Sequence, residues 1–139
     1  AFKKDTNDTR ESAAIYICRD LLIERAHLAI YDPQVSLEQI IRDLEYVGIT
    51  DAAERAGNGA ITKVDTPADS ADSAHALAIL TEWDEFRTLD FSTIFDSMLK
   101  PACLFDGRNI VDRRKLRDIG FDVYSIGKGD SNGTEWEVR

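Results

Sequence analysis

Three cations near the start of this chain fall where an anion could be held. Lys3 and Lys4 stand side by side ahead of Asp5-Thr6-Asn7-Asp8-Thr9, a run of turn and cap residues. Arg10 then reads as part of the first turn of a long amphipathic helix capped by Asp8 or Thr9. A helix N-terminus presents unpaired backbone N–H groups and the positive end of the dipole, so a phosphate or carboxylate placed there gains from the lysines and Arg10 as well. A solvated cap with surface lysines would use the same residues. Arg108 is a further candidate. It follows Asp106-Gly107 at the end of a strand-like run, where glycine admits close backbone approach and a guanidinium can take two oxygens at once.

Other reactive side chains read more readily as structural. Asp5, Asp8 and Asp106 could pair as acid and base, but each sits where aspartate is an ordinary turn or cap residue. Trp83 could stack on a base or serve as a core or hinge aromatic. His27 and His75 fall at helix-to-strand junctions with no partner at metal-ligand spacing, so no metal site is expected. Cys18 lies on a helix stripe and Cys103 inside a strand, both places for a small buried hydrophobe. Neither GxGxxG nor GxxxxGK[ST] occurs, so no complete dinucleotide or phosphate-loop site is predicted within the chain.

The elements that must position these residues alternate. The first helix carries Ala14, Ile17, Cys18, Leu21 and Leu22 at helical period, and 26–31 reads as a buried strand ended by Asp32-Pro33. Ser36-Leu37-Glu38-Gln39 has capping-box form and opens a second helix, and Thr66-Pro67 opens another. Strands are expected at 60–64, 76–80, 102–105 and 121–126, with 76–80 central and buried on both faces. Short helices are expected at 90–99 and 112–119. This alternation calls for a doubly wound, Rossmann-like α/β fold with a parallel sheet and right-handed crossovers, whose ligands bind beyond the carboxyl ends of the strands. One strand is missing from the count. The first helix should follow a central strand, yet residues 1–8 read as a loop, so that strand is expected upstream of Ala1 as a short apolar stretch ending in glycine. The only methionine is Met98, and Ala1 reads as a cut or processed end. The glycine-rich stretch 129–139 reads as a flexible tail with Trp136 its only anchor, leaving 1–128 as one domain.

At 139 residues and 43% hydrophobic, the chain can bury one core. A formal charge of -9 and a pI near 4.6 argue against nucleic acid or an anionic membrane as partner, though a nucleotide-sized anion can bind where cations are concentrated. No apolar run approaches a membrane span and no export leader is read. Two distant cysteines suit a reducing compartment.

The run FKKDTNDTRES, with TEWDEF at 81–86 and LKPA through FDGR at 99–108, resembles the C-terminal domain of the UDP-glucose 6-dehydrogenases of animal type, in order from Ala1 to about Lys128. The resemblance implies a UDP-binding domain in which Phe2, Lys3 and Arg108 hold the UDP-sugar and Arg10 reaches the NAD side of the cleft. Lys4 matches a second lysine with no separate role. It further implies a cytoplasmic homo-oligomeric enzyme that oxidises UDP-glucose to UDP-glucuronate with two NAD through a cysteine-bound intermediate. The catalytic cysteine and the GxGxxG would lie upstream, in the NAD-binding and central domains of the same protein. This chain then supplies no catalytic residue and is expected to be inactive alone. Related dehydrogenases for other nucleotide sugars share an FKxxxxDxR-like stretch. The alternative from another class is a stand-alone α/β regulatory or protein-binding module, with Lys3, Arg10 and Arg108 as surface cations.

Overall fold

The computed structural model of the chain describes residues 1–10 and 12–126. Among them, helices and strands alternate as the periodicity requires. Helix α1 spans Ala13–Ile23, strand β1 Leu28–Ile30, α2 Leu37–Tyr46, α3 Ala52–Gly57, β2 Ile61–Lys63, α4 Pro67–Ala71 and β3 Ala76–Ile79. A 3-10 turn at Asp84–Thr88 leads into α5 Phe91–Ser97, β4 Cys103–Asp106, α6 Arg113–Ile119 and β5 Asp122–Ser125. The caps follow from sequence: Ser36, Thr66, Asp90 and Asp112 each accept a backbone N–H three residues on, and α6 stops at Gly120. Gly120 has φ 130°, and a Cβ there would meet the Phe95 ring at 2.6 Å, so this stop requires glycine.

Every strand pairing among the described residues is parallel. β1 pairs β2 with Leu28 opposite Ile61, and β4 lies between β3 and β5 with Cys103 opposite both Ala76 and Asp122. Two cores result. Leu22, Ile40, Leu44, Ile49 and Ile61 are buried where α1, α2 and α3 cover the first sheet. Ile79, Ile94, Leu104, Leu116 and Val123 are buried where α5 and α6 cover the second. With a helix in every crossover, this is a doubly wound, Rossmann-like α/β arrangement.

Three expectations need correction. Strand β3 is an edge and not a central strand: Ile79 is buried, but Ala76 and Ala78 are exposed, because β1 and β3 belong to separate sheets. The sheet is parted there, although α4 touches both β1 and β3. Ala1 spans the same gap. Its nitrogen donates to Asp32 Oδ2 at 2.8 Å, just past the end of β1, and its carbonyl accepts from Thr81 Oγ1 at 3.0 Å, just past the end of β3. The second correction concerns α1, which is capped by Ser12 and not by Asp8 or Thr9. The Asp8 carboxylate is bound to the Arg10 backbone and side chain, and the Thr9 carbonyl accepts from Ser12 N at 3.2 Å, so the chain turns before it coils. Arg10 therefore precedes the helix. Third, Gln39 does not complete a capping box on Ser36; its amide donates to Asp43 at 2.8 Å and to Thr9 at 3.5 Å, tying α2 to the lead-in of α1. The tail expected at 129–139, with Trp136, lies outside the described residues.

Candidate functional site

The carboxyl ends of β1, β3 and β4 meet around the loop 2–8. Phe2 N donates to the Asp8 carbonyl at 2.9 Å, closing that loop on itself. It is then fastened from β3: Thr81 holds the Ala1 carbonyl, Glu82 Oε1 accepts from Lys4 N at 3.4 Å, and Asp84 pairs with Lys4 Nζ at 3.0 Å. The Asp84 hydrogen bond and charge raise the Lys4 pKa. Lys4 thus has a role the sequence did not suggest, as an anchor of the loop.

From β4 comes Arg108. Its Nη2 donates to the Phe2 carbonyl at 2.6 Å, across 106 residues of sequence, and pairs with Glu82 Oε2 at 2.6 Å. The local sequence explains how it is aimed. Asp106, buried at 1% exposure, accepts Arg108 N at Oδ1 and both Ile110 N and Val111 N at Oδ2. Its carboxylate is therefore spent on shaping the turn and is not a candidate acid or base. Gly107 allows the turn to press on β3: its N–H donates to the Ile79 carbonyl at 2.9 Å, and a Cβ would stand 3.0 Å from that same oxygen. The close approach expected of this glycine is thus to the neighbouring strand.

Phe2, Lys3 and Arg108 consequently share one rim. Phe2 is partly exposed, with Lys3 Nζ 5.3 Å from the centre of its ring. Among the described residues no carboxylate lies within ion-pair distance of Lys3. Arg10 does not join this group. It grips Asp8, with Nη2 to Oδ2 at 2.7 Å and Nε to Oδ1 at 3.0 Å, and its side chain is 87% exposed.

The Arg10 hydrogen bonds, to side chain and then to backbone, pull the Asp8 carboxyl down to about 2, and nearby Lys3 adds to this. Because the folded pKa lies below the unfolded value of about 3.9, any stabilisation from this pair is present above that value and is lost as pH falls through about 2. The Asp8 carboxyl resonance followed by NMR is expected to titrate near pH 2 and to move back toward 4 in Arg10→Ala; a midpoint near 4 in the unaltered protein would contradict the pairing.

Trp83 is 7% exposed, which withdraws it as a stacking surface in this conformation, and its Nε1 has no partner among the described residues. Burial pushes the Cys18 thiol up to about 11, leaving it protonated at neutral pH, and Cys103 is half-buried in β4. His27 and His75 are exposed, at the amino ends of β1 and β3, away from the rim.

This rim can be set beside known proteins. Residues 1–113 match the sequence model described as the UDP-glucose/GDP-mannose dehydrogenase family, UDP binding domain. UDP-glucose 6-dehydrogenase 1 of Arabidopsis thaliana is 52% identical over 136 residues, covering 92% of this chain and 28% of that protein. The chain belongs to the UDP-glucose/GDP-mannose dehydrogenase family. UDP-glucose 6-dehydrogenase of Drosophila melanogaster is also 52% identical, over 128 residues, covering 92% of this chain and 27% of that protein. A solved UDP-D-ManNAc dehydrogenase from Pyrococcus horikoshii aligns over 86% of this chain and 30% of its own, with a TM-score of 0.47 and 19% identity. The chain thus spans little more than a quarter of the length of these relatives. The matched residues include the whole rim: loop 2–8, Glu82 and Arg108.

The sequence reading missed Thr81, Glu82 and Asp84 as parts of the rim. The available signal was three hydrogen-bonding side chains directly after a strand, in a fold that gathers strand ends.

Proposed function

We propose that this chain is the UDP-sugar-binding part of an NAD-dependent dehydrogenase that converts UDP-glucose to UDP-glucuronate. The observation that carries the proposal is the Arg108 bond to the Phe2 carbonyl, which ties the end of β4 to the loop 2–8 in one rim beside Lys3. Two cations converge there on a surface whose net charge would otherwise repel a diphosphate. Phe2, Lys3 and Arg108 are assigned to the UDP-sugar: the ammonium and guanidinium to phosphate oxygens, the ring to an apolar face of the ligand. Family membership and the names of the relatives favour UDP-glucose over another nucleotide sugar, and favour an enzyme over a stand-alone module.

NAD is assigned to other domains of the same protein. The described residues offer no Gly-rich turn ahead of a helix to cradle a pyrophosphate; α1 is preceded by Arg10 and capped by Ser12. Only Arg10 is assigned toward the cofactor, since it stands exposed and paired with Asp8. NAD supplies hydride acceptance, while this chain's residues bind and orient the nucleotide. The proposal includes a cytoplasmic homo-oligomer, with no helix among the described residues long and apolar enough to cross a membrane.

Titration of UDP, UMP and inorganic phosphate into the enzyme carrying this domain tests the reading. UDP is expected to bind more tightly than UMP, and UMP more tightly than phosphate. Equal binding of all three would leave only a general anion site and sink the proposal. The chain alone is expected to reduce no NAD with UDP-glucose, because it carries neither the GxGxxG fingerprint nor a glycine-rich nucleophile motif around either cysteine, and the Cys18 thiol is held protonated by burial; turnover above a Cys18→Ala, Cys103→Ala control would contradict this.

A further inference from the structure

Among the described residues, Glu82 is the one carboxylate that touches both Arg108 and the loop 2–8. Its Oε2 lies 2.6 Å from Arg108 Nη2, and its Oε1 accepts the Lys4 backbone N–H at 3.4 Å. Its own backbone is fixed between two buried neighbours, Thr81 and Trp83, each 7% exposed. The ion pair is partly covered, with the two side chains 35% and 27% exposed, so it is less screened than a free surface pair.

The guanidinium has five N–H donors. Nη2 donates to the Phe2 carbonyl and stands in ion-pair contact with Glu82 Oε2 at 2.6 Å. The three on Nε and Nη1 have no recorded partner among the described residues. A carboxylate in such a place could compete with an anionic ligand, or it could hold the guanidinium so that its open donors face the ligand. Two features favour holding. The same nitrogen is also bound by a neutral carbonyl, which an anion would not need to displace, so the guanidinium is held by two partners, one on the loop 2–8 and one past the end of β3. The second oxygen of Glu82 accepts the Lys4 N–H at 3.4 Å, which holds the carboxylate itself against the loop. An arginine held in this way loses less side-chain freedom when the ligand arrives.

We infer that Glu82 is a positioning residue for the nucleotide diphosphate: it does not touch the ligand but orients Arg108 toward it. This inference rests on the proposed UDP site, and the test separates the two.

UDP affinity is measured by calorimetry on the full-length enzyme bearing this domain, unaltered and as Glu82→Gln, Arg108→Ala and the double variant, with steady-state kinetics alongside. Glu82→Gln keeps the shape and removes the charge. It is expected to weaken UDP and raise the UDP-glucose KM about five-fold, with kcat and the NAD KM unchanged. In the Arg108→Ala background it is expected to add less than two-fold, since the group it orients is gone. Glu82→Asp, which keeps the charge but sets it back by one methylene, should fall between and serves if the glutamine variant does not fold. UDP binding unchanged by Arg108→Ala would remove the site itself. Weakening by Arg108→Ala with Glu82→Gln neutral or tighter would keep the site and overturn the positioning role, making Glu82 a competitor. A full Glu82→Gln effect persisting without Arg108 would equally overturn it.

Discussion

Supplying an extended apolar segment between β1 and β3 is expected to raise the stability of this domain by about 4 kcal/mol or more. We propose that the residues upstream of Ala1 in the parent protein are that segment. The two strands end at Ile30 and Ile79, and Ala1 is bound from just beyond both, to Asp32 on one side and Thr81 on the other. A chain passing through Ala1 would thus leave a strand lying between them, parallel to both. A four-residue strand with partners on each side gains on the order of six to eight ladder hydrogen bonds at about 0.5–1 kcal/mol net apiece. It would also convert two open edges, each prone to pairing with other chains, into interior strands. Chemical denaturation of the chain with and without about ten upstream parental residues measures the gain. An unchanged midpoint would mean that the gap is not a strand site, as would a structure in which β1 pairs directly with β3.

In the full-length enzyme, Arg108→Ala and Lys3→Ala are expected to raise the UDP-glucose KM by roughly ten-fold or more. A charge-assisted hydrogen bond to phosphate contributes about 1.5–3 kcal/mol, and each 1.4 kcal/mol is a factor of ten. Arg108→Ala should have the larger effect, because it also releases the Phe2 carbonyl and leaves Glu82 unpaired. Arg10→Ala should chiefly weaken NAD, since among the described residues its side chain pairs with Asp8 and is otherwise exposed. Equal effects of all three changes on both substrates would return these residues to the status of surface cations.

Much of the fold was legible locally. The apolar period of α2, the Thr66-Pro67 start of α4 and the Gly120 stop of α6 are short-range signals, and each element lies close to where the residues place it. The parting of the sheet was legible too, as a helix without a preceding strand. The start of α1 was not, because Asp8 can cap a helix or grip Arg10, and only the packing of the Phe2–Asp8 closure selects the second. The exposed face of Ala76 and Ala78 was hidden for a related reason. An apolar run reports what a strand can bury, not whether its neighbour is there. Least legible was the clamp from Thr81, Glu82 and Asp84, whose partners lie 26 to 80 residues away and meet only once strand ends converge.

The position of the diphosphate in a crystal of the UDP-bound enzyme tests the central claim most directly. The account predicts phosphate oxygens within hydrogen-bond distance of Arg108 and of Lys3 Nζ, with Arg108 Nη2 still on the Phe2 carbonyl and Glu82. A diphosphate bound away from this rim, with Lys3 and Arg108 making no contact to it, would contradict the account.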